Sequence, residues 1–158
     1  MFDDFVKWLK SNGWCVCRYD NKLKYDSLKE VLARYSFVDE SYLKFLSIIK
    51  RAVNETKNMW FNCYDEFIGN SDIAFKWNEF ETISLEAAED DLNWQKDIRL
   101  FWDNHLPIIM SVADTYSYYA MNLNGKIVFG MEPEFEEVKI IANSFEEFIN
   151  KIMTNKIL

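Results

Sequence analysis

Three groups of residues in this sequence are of types that could do chemistry. The first is His105, the single histidine, with Asp103 and Asp114 nearby in the chain. A histidine among carboxylates can move protons. No serine or cysteine, however, stands in a nucleophile motif, and four glycines leave no P-loop or dinucleotide fingerprint. His105 also falls near a predicted helix C-terminus, where a cation is favoured by the helix dipole. A structural role therefore outweighs a catalytic one.

The second group is Cys15, Cys17 and Cys63. With His105 they would make four zinc ligands. Cys-x-Cys is not the usual chelating spacing, though, and free cysteine is a common small core residue. No metal and no cofactor are expected.

The third group is the carboxylates: Glu79 with Glu81, then Glu89, Asp90 and Asp91, then Glu132, Glu134, Glu136 and Glu137. Acid–base catalysis needs two of them converging in a cleft with separated pKa values, and sequence spacing alone does not make a cleft. Residues 78–95 hold six acids and no base, with Trp77 and Trp94 at the edges. Acids mixed with aromatics are suited to a charge-complementary protein interface. Partner-facing residues are therefore expected among Trp77, Glu79, Glu81, Glu86, Glu89, Asp90, Asp91 and Trp94.

The net charge of −8 is unevenly spread. Residues 1–57 carry 11 basic and 8 acidic side chains, or +3, and residues 58–158 carry 7 and 18, or −11. Nucleic acid is disfavoured as a ligand, because phosphate binding needs a basic groove. A basic protein is the better electrostatic match. No apolar run approaches the roughly 18 residues that span a bilayer, so no membrane association is expected. The opening residues MFDDFVKWLKSNGW lack a basic start and a long apolar stretch, so no signal peptide is expected. Three cysteines, an odd and sparse count, fit reduced thiols in the cytoplasm.

The elements that must position these residues are legible in the apolar spacing. Phe2, Phe5, Val6 and Leu9 lie on one helical face, and Gly13 is placed to end that helix. WCVCRY alternates like a short strand. Ser27 with Glu30 makes a capping box, and Asp39 can cap a helix whose apolar stripe runs through Tyr42, Leu43, Leu46, Ile49 and Val53. Residues 58–77 look like strand, loop and strand. Ser84 can start a helix with Leu85 and Ala88. A further helix carries Leu92, Ile98, Leu100, Phe101 and Trp102 and stops before Pro107.

LPIIMSV, TYSYYAMNL, KIVFGM and EVKIIA then read as four strands, with Asn124 and Gly125 as a hairpin turn. Ser144 with Glu147 caps a last helix. Short turns make these strands antiparallel, so the fold class is α+β in a single domain over 1–158. In TYSYYAMNL, the set Tyr119, Met121 and Leu123 is the more apolar and should face the core. Tyr116 and Tyr118 should stand half-exposed on the other face, as a further partner contact.

The C-terminal half resembles the SUKH superfamily, which includes the yeast cell-wall-assembly regulator and many bacterial immunity proteins. The resemblance is carried by Leu106, Pro107 and Ile108; by Asp114, Tyr118 and Tyr119; by Gly125, Ile127 and Val128; and by Ala142, Ser144, Phe145 and Phe148. SYLKFL and Trp60 fit its early helix and the tryptophan that follows, so the pattern runs over roughly residues 38–152. What the resemblance implies is a largely antiparallel sheet wrapped by helices, without catalytic machinery. It also implies a protein that neutralises a toxin, often a nuclease, encoded beside it. The alternatives are a regulatory or scaffold module that binds host proteins and, more weakly, a hydrolase using a carboxylate pair.

Overall fold

The computed structural model describes residues 2–158. Spacing at the N-terminus dictates the first element. Phe2, Phe5, Val6 and Leu9 are all buried along one side of α1 (Phe2–Ser11), and Gly13 follows it at a φ of 83°. Strand β1 (Cys15–Arg18) leads to α2 (Tyr25–Val31) and α3 (Glu40–Ile48). Asp39 caps α3 through a 2.9 Å bond from the Tyr42 N–H. Then come β2 (Ile49–Val53), β3 (Met59–Phe61), the single turn α4 (Tyr64–Phe67), α5 (Glu79–Ala87) and α6 (Leu92–Asp103). The chain closes with β4 (His105–Ser111), β5 (Ser117–Asn122), β6 (Ile127–Met131), β7 (Lys139–Ala142) and α7 (Phe145–Met153).

The seven strands of the described residues form one sheet in the order β1 to β7, each antiparallel to its neighbour. The fold is α+β. Two apolar layers sandwich the sheet. On one face, side chains of α1, α2, α3 and α7 pack on Ala52, Phe61, Ile109, Met121 and Ile127. On the other, Phe80 of α5, with Ile98 and Trp102 of α6, packs on Val53, Trp60, Met110, Tyr118, Ala120 and Val128.

That second layer corrects the expectation of a sheet covered on one side. With both faces covered, alternation no longer separates inside from outside. Tyr118 is 1% exposed, its ring packs on Trp102 at 5.0 Å, and its hydroxyl donates to the Phe135 carbonyl. Tyr116 is half-buried between Phe75 and Phe80. Leu123, expected inside, is exposed in the β5–β6 turn. Asn122 and Lys126 close that turn at 2.8 Å, and Gly125 takes the left-handed position with a φ of 76°.

Gly130 on β6 faces Tyr118 across the pair. A Cβ there would sit 2.6 Å from the ring carbon and hydroxyl of that tyrosine, closer than any real contact. Gly130→Ala should therefore destabilise the fold by about 1–3 kcal/mol, read as a lower denaturation midpoint. An unchanged midpoint would mean that Tyr118 is free to move.

Four local expectations also shift. Lys24, not Ser27, stands at the N-cap of α2, with no side-chain cap. The apolar stripe of α3 continues through Ile49 to Val53, yet the chain changes from helix to strand at Ile49, where β-branched residues favour the extended state. Helix α5 starts at Glu79, leaving Ser84 inside it. After β3, residues 62–78 hold α4 and a loop in place of a second strand. The last capping box stands as expected, with the Glu147 N–H donating to Ser144 Oγ at 3.1 Å.

Candidate functional site

Helix α5 and its flanks carry most of the side chains singled out in the sequence. At about 1.5 Å per residue the helix separates them into two ends. Trp77 and Glu79 stand at the first end, both half-buried. Glu86, Glu89, Asp90 and Asp91 stand at the other, all exposed. Tyr116 lies beneath α5 against Phe80, apart from the far end of the helix. Tyr118 is inside the core and presents no surface to a partner.

Glu81, between the two ends, faces inward and is 8% exposed. Arg34 holds both its carboxylate oxygens, at 2.9 and 2.7 Å, and also reaches Asp103 at 2.9 Å. A fork of this kind is the strong form of ion pair, and it uses up the Glu81 charge within the fold. A cation from the basic first third of the chain thus neutralises one of the six acids. It leaves the others alone: among the described residues, none of Glu86, Glu89, Asp90 and Asp91 makes an ion pair.

The corner between α5 and α6 is held in shape by its own hydrogen bonds. Asp91 accepts from the Trp94 N–H at 3.0 Å and so caps α6. Gln95 reaches back to the carbonyls of Ala88 and Glu89 at 2.9 and 3.0 Å. This geometry turns two large apolar side chains outward beside the acids, Leu92 at 76% exposure and Trp94 at 48%. The sequence places Leu92 in the apolar set of α6 and not on the surface, yet it stands outward. Its place in the first turn, ahead of the buried Ile98 and Trp102, is the local signal that could have shown it. Leu100 is likewise exposed.

The residues considered for catalysis are engaged elsewhere. His105 stacks on Phe101 at 3.8 Å, and its Nδ1–H donates to the Phe101 carbonyl at 2.7 Å. Burial lowers its pKa, which works against the cation expected at that position. Glu136 accepts from Ser84 at 2.9 Å and faces the Trp102 indole, and its pKa is raised mainly by burial. Glu132 accepts from the Tyr116 N–H at 3.0 Å. Cys15 and Cys17 are exposed on β1 while Cys63 is buried. Among the described residues, no group of three or more His, Cys, Asp or Glu side chains is arranged to hold a metal ion, and no helix is long and apolar enough to cross a membrane.

Neither a curated protein nor a solved structure matches this chain. The model of the SMI1 / KNR4 family (SUKH-1) does, over residues 22–151, a span that runs from the loop before α2 to the last turn of α7 and takes in the whole acidic corner. The chain belongs to the SMI1 / KNR4 (SUKH-1) family.

Proposed function

We propose that this chain is an immunity-type protein that docks on a cognate toxin and blocks it sterically and electrostatically, without cofactor or chemistry of its own. Membership of the SUKH-1 family is consistent with such a role. The observation that carries the reading is the α5–α6 corner. Four acids that make no ion pair among the described residues lead directly into two apolar side chains that the core does not cover. Solvated charge alone would not require Leu92 and Trp94 to stand outward among carboxylates. An interface would, since aromatic and aliphatic anchors ringed by complementary charge are what such surfaces use.

The partner is then a basic protein. A nuclease fits, because it is basic where it holds phosphates. Glu86, Glu89, Asp90 and Asp91 meet its cations, Leu92 and Trp94 anchor it, and Trp77 with Glu79 extends the surface along α5. Glu81 takes a structural role in this scheme. A cytoplasmic setting goes with it, where Cys15 and Cys17 stay reduced.

Co-expression with the neighbouring open reading frame tests the reading. Growth should be rescued and the two products should co-purify. Toxicity that this protein does not relieve removes the proposal. Recovery of a resident cellular protein in place of a toxin would turn it toward a regulatory or scaffold module.

A further inference from the structure

A groove of about 410 Å³ opens at the other end of α5, between α4 and the loop that precedes the helix. Its walls mix polar and apolar groups, the apolar ones including Phe67, Ile73, Phe75 and Trp77. The aromatic walls are fixed from behind. Trp77 is held edge-on by Tyr35 at 6.0 Å and by Phe67 at 5.5 Å, and Phe75 by Tyr116 at 5.2 Å. Glu66 of α4 also lines the groove and is 6% exposed. A glutamate so deeply buried is normally paired.

Glu66 is not paired. Among the described residues it takes part in no ion pair. Arg51, the cation whose charge it feels, is engaged by Asp72 at 2.9 Å. Lys76, also lining the groove, is exposed and among the described residues forms no ion pair. Backbone groups at the start of α4, those of Glu66 itself and of Cys63, favour the charged form, as does the more distant Arg51, but none of them is an ion-pair partner.

We infer that this groove is a socket for one arginine side chain of the protein partner, with the Glu66 carboxylate as the counter-charge at its floor. The guanidinium is planar, stacks on aromatic faces and pairs with carboxylate through two N–H groups, while its three-carbon stem runs along apolar wall. An incoming cation supplies what the fold withholds from Glu66. Desolvation of both groups is offset by the pairing, and the walls exclude water around it. The inference deepens the docking proposal, and rests on it only in taking the partner to be a basic protein.

The test needs no toxin. The full chain is titrated with N-acetyl-arginine methylamide, using the citrulline analogue as a neutral isostere, and followed by NMR at the Trp77 indole and the amides of 66–77. The arginine probe should give saturable shifts there, and the citrulline analogue should bind at least about 10-fold more weakly. Glu66→Gln should lose the arginine preference with an otherwise unchanged spectrum. Absence of saturable shifts, equal response to the two probes, arginine binding unaffected by E66Q, or shifts confined to residues 86–94 would each overturn the assignment. Failed rescue in co-expression with positive probe binding would remove the toxin and keep the socket. Rescue with no probe binding would do the reverse.

Discussion

Glu66→Gln should leave stability unchanged below about pH 4.5 and raise it by about 3 kcal/mol above pH 7. The cause is burial. It pushes the Glu66 carboxyl from its ordinary value near 4.5 up to about 7, against the backbone N–H groups and Arg51, which favour the charged form, and with Asp65, which opposes it. Between those two pH values the folded chain keeps a proton that the unfolded chain has released. The native state then binds more protons, so wild-type stability falls as pH rises through this window. Glutamine is neutral throughout and escapes the loss. Denaturant unfolding of both proteins at half-unit steps from pH 4 to 8 measures the difference, with the m-value as the check on two-state behaviour. A difference independent of pH would mean that Glu66 is already ionised in the fold at pH 5. A protein that keeps such a carboxylate at neutral pH carries a stability cost of the kind usually traded for binding.

Reversing Glu86, Glu89 and Asp90 together to lysine should slow association with the partner about 10- to 100-fold at low ionic strength. The difference should shrink as salt is added, since exposed charges are screened over about 8–10 Å in physiological buffer. Because these three side chains are exposed and unpaired, the folded state should be nearly unaffected. Asp91 is left in place, since it caps α6 and losing such a cap costs about 1 kcal/mol. Trp94→Ala acts on the other side of the kinetics. Truncating an apolar anchor should raise the dissociation rate by roughly 10-fold with little change in salt dependence. Stopped-flow mixing at several salt concentrations separates the two effects. An association rate untouched by the triple reversal would take the acidic corner out of the interface.

The parts of this fold legible in the sequence are those whose signals are local. Amphipathic spacing marked α1 and α7, Asp39 and Ser144 marked two caps, and Gly125 marked the hairpin, and all of these stand in the structure. The tyrosine strand departs from its expected exposure for a physical reason. Alternation shows which side chains share a face, but not whether the opposite face is also covered, and α5 and α6 cover it. Leu123 was assigned inward by the same period, which ends at Asn122 where the turn begins.

The acidic stretch was legible as composition and illegible as geometry. Glu81 and Arg34 lie 47 positions apart, and nothing local to either residue announces their pairing. Glu66 is hidden for the complementary reason. In a sequence a glutamate between Asp65 and Phe67 reads as surface, and only the tertiary fold, which brings α4 beside the loop before α5, leaves it 6% exposed along a groove.

The surface itself is most directly tested by hydrogen exchange on the complex with whichever partner co-purifies. If the protein works by docking through the α5–α6 corner, amides of residues 86–96 should gain protection on binding, with a second protected stretch at 66–79. Protection confined to β1, β7 or the basic first third of the chain, with 86–96 exchanging as in the free protein, would contradict it.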